Sequence, residues 1–348
     1  MKYLKISVVL LVMLQLFTGC NNNTSASQEN KPADTAVIND TAKRIVILDP
    51  EALKIIDSSA SIEVIAKGFK WTEGPLYIAD GGYLLFSDIP DNKVYKWKEG
   101  GDTSTFLNAS GFTGAVYNGK EPGSNGLLLN KKNELVLLQH GDRRVAVMQS
   151  TLDKPQTKYV TLVDRYQGRQ FNSPNDGVFA KDGSLYFTDP AYGLANGLED
   201  SAKQLSFQGV FLLRANGKLE LVTDEIKYPN GITLSNDGRF LYVANSDPSN
   251  KVWMKYELNE NGLIKNKTVF YRAVADEGKD NGNPDGLKMN KAGYLFATGP
   301  GGVWLFNVAG NVIARVYTGQ PTANCALGKD EKELFITCGS YVMRVKLK

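Results

Sequence analysis

The chain has 348 residues, of which 42% are hydrophobic, 10% aromatic and 22% charged, the balance of a folded globular protein and not of a disordered or fibrous one. Its net charge of +3, with 40 basic against 37 acidic residues, is too even for an electrostatic nucleic-acid footprint, so no nucleic-acid partner is expected. A single histidine, His140, excludes histidine-rich metal sites and two-histidine dyads and permits a Ser-His-Asp triad in one place only, which makes oxygen chemistry the default.

In chain order, residues 1–19 have the pattern of a lipoprotein signal peptide: basic Lys2 and Lys5, an apolar run from Ile6 to Phe17, then Thr18-Gly19-Cys20. An apolar run this short cannot cross about 30 Å of hydrocarbon, which takes roughly 20 residues, so the segment directs export and is not a membrane helix. Small residues before a cysteine resemble a bacterial lipobox, in which the thiol is lipidated; Phe17 stands where Leu is more usual, and the alternative is an ordinary signal peptide with an incidental Cys20. The expected product is an exported bacterial lipoprotein, held by a lipid on Cys20 and facing the periplasm or cell surface. Residues 20–43 are polar, poor in aromatics and without period, the composition of a flexible tether, and the folded domain is expected over 44–348.

From there one unit repeats. Six hairpin-like segments begin near Thr72, Ser124, Ser173, Tyr228, Asn283 and Thr322, each a short apolar strand, a turn rich in Gly, Asn, Asp or Lys, and a second strand of the Leu-Tyr-Phe type. Their first polar residues, Glu73, Asn125, Asn175, Asn230, Asp285 and Asn324, are spaced by 52, 50, 55, 55 and 39 residues, the length of a four-stranded blade with its loops. Outer strands are visible in VYKWKEG, RVAVMQS, GVFLLRANGKLELV, VWMKYELN and GVWLFNVAGNVIARVY. The pattern predicts an all-β fold, a six-bladed β-propeller with a metal on the central axis, in which the early strand from Ser61 to Phe69 completes the short last blade and leaves no exposed edge.

Residues opening the innermost strands of a propeller converge on one mouth. Here all six are carboxylates or carboxamides, and although Asn and Asp favour such positions for turn geometry alone, six converging oxygens suit a hard cation such as Ca²⁺ with 6 to 8 oxygen ligands. Counting 14 or 15 residues on from each anchor reaches Asp88, His140, Asp189, Asn245 and Cys338, because an antiparallel hairpin returns to the face it left. The first four are expected to form a second polar ring that holds substrate hydroxyls, with His140 either a site residue or the donor of a structural hydrogen bond. Arg143 and Arg144 are expected in an exposed charged turn.

The segments FNSPNDGVFAKDGSLYFTDPAYGL, HGDRRV, PNGITLSNDGRFLYVANS, PDGLKMNKAGYLFATGPGGVWLF and PTANCALG resemble bacterial gluconolactonases of the senescence marker protein/gluconolactonase/luciferin-regenerating family, over roughly Ser61 to Lys348. The resemblance implies a divalent metal held by Glu73, Asn175, Asn230 and Asp285, most simply Ca²⁺, with Mg²⁺, Mn²⁺ or Zn²⁺ as alternatives. It departs from the family at Gln139, where Glu commonly precedes the histidine, and at Gln170. It implies a metal-dependent hydrolase that opens a sugar lactone to its aldonic acid, with Asp285 as the base that activates water, His140 assisting in catalysis, and Asn125, Arg169 and Asp189 binding substrate. Rival readings are another reaction on the same scaffold, such as phosphotriester hydrolysis or a strictosidine-synthase-like condensation, and a non-catalytic propeller that binds a carbohydrate or protein around a structural metal. Cys325 and Cys338 share one hairpin; export permits a disulfide, while the family-like NCALG stretch implies a buried packing thiol at Cys325.

Overall fold

The structure is a computed structural model that describes residues 43–273 and 281–348; the signal peptide, Cys20 and all of the tether except Lys43 lie outside the described residues. Six antiparallel sheets follow one another along the chain as the blades of a propeller. Blade I runs Thr72–Ile78, Tyr83–Asp88, Lys93–Lys98 and Ser104–Asn108, and blade II runs Ser124–Leu129, Leu135–Gln139, Arg144–Met148 and Tyr159–Val163. Blade III has Gly177–Phe179, Leu185–Asp189, Gly209–Leu213 and Leu219–Thr223, and blade IV has Pro229–Leu234, Phe240–Asn245, Val252–Leu258 and Ile264–Arg272. Blade V has Leu287–Met289, Leu295–Gly299, Gly302–Phe306 and Val312–Tyr317, and blade VI has Thr322–Leu327, Glu333–Cys338 and Tyr341–Lys346.

The chain closes on itself as the repeat predicts. Ile62–Lys67, carried at the start of the domain, pairs antiparallel with Tyr341–Lys346 and supplies the fourth strand of blade VI, with Ile62 opposite Val345 and Lys67 opposite Tyr341. A second early strand, Arg44–Ile47, adds a fifth strand to blade V by pairing with Val312–Tyr317, which the repeat analysis does not anticipate. Both pairings cover outer edges that would otherwise expose unpaired N–H and C=O groups.

Burial explains the sequence texture. The second strands are sandwiched between neighbouring blades and are buried throughout, as in Tyr83–Asp88 and Leu185–Asp189, so they have continuous apolar runs. The outermost strand Ile264–Arg272 is mostly exposed and correspondingly polar. Apolar clusters bridge adjacent blades: Trp253, Tyr242 and Ala244 of blade IV meet Trp304, Phe306 and Leu295 of blade V. The Trp253 and Trp304 rings lie 5.5 Å apart, a contact of a kind worth about 0.5–1.5 kcal/mol beyond its buried area. Second-strand hydroxyls tie every other blade to the next: Ser87 donates to the Asn125 carbonyl at 2.9 Å, Thr188 to that of Asn230 at 2.8 Å, and Thr298 to that of Ala323 at 2.8 Å. Cys325 and Cys338 are free thiols buried in one core cluster, and burial pushes the Cys325 thiol up to about 12.

Candidate active site on the propeller axis

Four of the six inner strands begin with an irregularity beside the anchor residue. Register shifts interrupt the first hairpin pairing between Glu73 and Leu76 in blade I, Ser124 and Leu127 in blade II, Pro229 and Ile232 in blade IV, and Thr322 and Asn324 in blade VI. Bulges of this kind re-aim side chains next to functional sites. The residue after the anchor is often glycine for a steric reason. A Cβ on Gly231 would lie 2.1 Å from the Asp285 carbonyl oxygen, and one on Gly126 would lie 2.8 Å from that of Asn175, whose oxygen accepts the Gly126 N–H at 2.7 Å. The Asn-Gly and Asp-Gly pairs of the repeat therefore mark close approach at the axis, a constraint beyond turn formation.

The anchors form one buried polar cluster. Glu73, Asn125, Asn175 and Asn324 are each 2–3% exposed, and the carboxamide oxygens of Asn125 and Asn175 and one carboxylate oxygen of Asp285 are buried without a hydrogen-bond partner. Glu73 takes the Gly74 N–H at 2.8 Å and a hydrogen bond from the Asn324 side chain. Asn230 donates to Ser246 Oγ at 3.0 Å, which leaves its Oδ1 for the cavity it lines. That cavity, of about 620 Å³, is bordered by Trp71, Tyr192, Asn230, Ser246, Asn283 and Asp285.

Charge at this mouth is unbalanced. Burial, and then the neighbouring Glu73 and Asp176, push the Asp285 carboxyl well above the carboxylate range. Burial also raises Glu73, with Asp176 adding repulsion against the lowering effect of the Gly74 N–H. Lys288 Nζ lies 3.8 Å from Asp176, and among the described residues no basic group forms an ion pair with Glu73 or Asp285. Nor do three His, Cys, Asp or Glu converge as a metal cluster among the described residues, because most of the donors here are carboxamides. A divalent cation fits this set. Three orphaned oxygens, two from carboxamides and one from Asp285, beside the buried Glu73 carboxyl lack what a cation supplies, and the all-oxygen chemistry suits a hard ion.

The second polar ring is corrected. The strand register aligns Gln139, not His140, with Asp88, Asn245 and Cys338, since Ser124 pairs with Gln139 as Thr72 does with Asp88 and Pro229 with Asn245. Hairpin turns of unequal length put constant-offset counting one residue out in blade II. These side chains hydrogen-bond within the protein. Asp88 accepts the Lys70 and Trp71 N–H groups at 3.1 Å each, Asn245 accepts that of Tyr228, and Asp189 accepts those of Asn172 and Ser173 at 2.8 Å each. Both Asp189 oxygens are thereby committed to anchoring the loop into blade III, although burial still pushes its carboxyl up to about 7. Gln139 donates to the Ser110 carbonyl at 2.7 Å and accepts from Arg144 at 2.6 Å, which ties two connections together. Arg169 sits in an exposed two-stranded hairpin with Arg165–Tyr166, its guanidinium 3.4 Å from the Gln204 carbonyl, and does not line the axial cavity.

His140 is buried, with Nδ1 2.8 Å from Glu121 Oε2 and Nε2 unpartnered. Glu121 lies within electrostatic reach of Glu73, Asp285 and Tyr192. The sequence reading missed Glu121, Asp176 and Tyr192. Glu121 and Tyr192 sit in loops 109–123 and 190–208, which carry no periodicity; their length, beyond that of the other connections, is the signal that was available. Asp176 adjoins an anchor and was eclipsed by it.

Fold and mouth together define a six-bladed propeller with a buried, oxygen-rich polar cluster beside an axial cavity. The chain belongs to the SMP-30/Gluconolactonase/LRE-like family, whose pattern matches residues 71–340. It is 37% identical to a gluconolactonase of Zymomonas mobilis over 351 residues, covering 99% of this chain and 96% of the relative. The solved structure of a gluconolactonase from Xanthomonas campestris superposes with a TM-score of 0.74 at 25% identity, covering 88% of this chain and 95% of that one. The calcium-binding protein regucalcin from Agrobacterium tumefaciens shares the fold at a TM-score of 0.64 and 16% identity, over 83% of this chain and 95% of its own.

Proposed function

We propose that this protein is a metal-dependent lactonase that hydrolyses a sugar lactone to its aldonic acid at the axial mouth. The observation that carries the reading is the trio of unpartnered acceptor oxygens on Asn125, Asn175 and Asp285, buried beside Glu73 in a chain 37% identical to a gluconolactonase. Glu73, Asn175, Asn230 and Asp285 would hold the cation, Ca²⁺ by the hardness of its donors. When bound, it supplies Lewis-acid polarisation of the lactone carbonyl and offsets the charge that develops on that oxygen.

The chain's own groups do the rest. Asp285, at the boundary between the buried cluster and the cavity, takes a proton from the attacking water. The water oxygen bonds to the carbonyl carbon, the ring C–O bond breaks, and the departing oxygen leaves as the hydroxyl of the aldonic acid once it receives a proton. Tyr192, raised by burial and by Asp285, stays protonated and serves as a donor along the cavity wall. Trp71 offers an apolar face to the sugar ring.

The test is a pH-indicator assay over a panel of aldonolactones, with Ca²⁺, Mg²⁺, Mn²⁺ and Zn²⁺ supplied separately to chelated protein. Turnover of a sugar lactone that depends on one of these ions is expected; absence of turnover with every ion, in protein shown to be folded and loaded, would leave the non-catalytic binding reading in its place. We propose further that the protein is exported and anchored through Cys20. Cys20→Ala is expected to move it from the membrane fraction to the soluble fraction with its activity intact, and wild-type protein found wholly soluble after export would overturn the anchor.

A further inference from the structure

A smaller cavity of about 150 Å³ lies beneath loop 190–208, lined by Tyr117, His140, Arg143, Gly193 and Asp200 and sharing no lining residue with the axial cavity, although its Gly193 follows Tyr192 in the chain. Two of its lining side chains have buried nitrogens without partners, His140 Nε2 and Arg143 Nη2. Their other nitrogens are committed. Arg143 Nε donates to the Phe171 and Asn172 carbonyls at 2.6 and 3.0 Å, and its Nη1 donates to the Ala202 carbonyl at 2.9 Å. Neighbouring polar groups are spoken for as well: the Tyr117 hydroxyl donates to the Gly193 carbonyl at 2.6 Å, and Asp200 accepts the Asn196 and Ala202 N–H groups.

The tautomer follows from the partner. Glu121 is an acceptor facing His140 Nδ1, so the neutral imidazole keeps its proton on Nδ1 and presents Nε2 as a bare acceptor. Arg143 Nη2 can only donate. Besides the exposed Asn118 carboxamide, the cavity therefore offers an unpartnered acceptor on His140 and an unpartnered donor on Arg143. A hydroxyl is the small group that donates to the His140 nitrogen while accepting from the Arg143 nitrogen, whereas a carboxylate would meet the negative charge of Asp189 and Asp200 near Arg143 and of Glu121 at His140. The volume equals about five waters at about 30 Å³ each, room for a hydroxymethyl end or a short polyol segment.

We propose that the pocket between His140 and Arg143 is a hydroxyl-binding subsite that sets the preference for polyhydroxylated substrates, with Glu121 as the residue that positions His140. The proposal rests on the lactonase reading for its substrate, and it makes His140 a specificity determinant. A lost hydrogen bond to a substrate hydroxyl costs about tenfold in binding, and more where a buried group is left unpaired.

Because His140 is the only histidine, its imidazole can be followed by ¹⁵N NMR in the intact protein without assignment ambiguity. The wild type is expected to show the Nδ1–H tautomer, with the Nε2 resonance moving when sorbitol or gluconate is added. Kinetically, His140→Gln and Arg143→Lys should each lower kcat/KM for D-glucono-1,5-lactone about tenfold more than for δ-valerolactone, which has no hydroxyls. An Nε2–H tautomer in the wild type would overturn the proposal. So would an imidazole unmoved by saturating sorbitol and gluconate, which would mean the cavity holds water only, and so would equal losses on both lactones. If wild-type protein hydrolyses neither lactone, the lactonase reading falls, and the NMR titration with sorbitol still decides the subsite.

Discussion

The axial mouth and the closing seam of blade VI handle buried charge in opposite ways. At the seam, Arg344 is 7% exposed and answered on every side. Glu63 on the early strand lies 2.7 Å from Nη2, Glu333 lies 3.1 Å from Nη1, and Glu99 of blade I completes the set. At the mouth, Glu73 and Asp285 repel each other and are raised by burial, with three acceptor oxygens left unpartnered. One region uses charge to fix the ring's closure; the other holds uncompensated repulsion, which the proposed cation would relieve. The contrast separates stability from function, since surrounding structure must hold an electrostatically unfavourable arrangement if it is to bind something.

The sharpest way to break this contrast is Asp285→Asn, which keeps an oxygen and the volume but removes the basic carboxylate. We expect kcat to fall about 10²-fold or more with the metal retained, the range of a lost general base, and added metal should not restore it. Near wild-type turnover in metal-loaded variant would reduce Asp285 to a ligand.

Metal should reverse the mouth's instability. Since Glu73, Asp285 and Asp189 hold protons in the folded state above their unfolded range, the metal-free native protein binds more protons than the unfolded chain from about pH 4 to above about pH 7. Its stability therefore falls as pH rises through that window, by up to about 1.4 kcal/mol per pH unit for each proton involved. Bound cation needs the ionised carboxylates, so saturating Ca²⁺ should flatten or invert the slope and add about 2.7 kcal/mol at 100-fold over its Kd. Melting curves at pH 5 and 8, with and without chelator, measure both effects; identical curves would remove the cation.

At the seam, Arg344→Met should cost about 2 kcal/mol by leaving three glutamates without their common partner, while kcat of the surviving folded protein stays unchanged. Denaturant titration and a lactonase assay check the two halves. The smallest effect is expected for Glu73→Gln, which relieves repulsion at the mouth. Metal-free protein should gain about 1 kcal/mol at pH 8, and metal affinity should weaken enough that excess cation restores part of the rate. A loss of metal-free stability would show that Glu73 contributes through its hydrogen bonds with Gly74 and Asn324 more than it costs through burial.

Much of this contrast was legible in the repeat. The anchors Glu73, Asn125, Asn175, Asn230, Asp285 and Asn324 open the inner strands, and Ile62–Lys67 closes the last blade, because a periodic sequence can only stack its units in order. Asp88 and Asp189 were misread for a physical reason. A carboxylate at a strand end serves a ligand or a loop N–H equally well in sequence, and only the fold brings Lys70, Trp71, Asn172 and Ser173 to claim them. The one-residue slip at His140 arose because turn length varies between blades while counting assumes that it does not.

The sequence by itself determined the blade count, the closure and the chemical type of the axial residues, since strand periodicity and oxygen-bearing anchors are local and recur at every blade. Only the tertiary structure decided which of those oxygens lack partners, that Glu121 meets His140 across two loops, and that His140 and Arg143 share a cavity apart from the axis. Those facts depend on contacts between segments far apart in the chain, and such contacts follow from how blades and long loops pack, which no local spacing encodes.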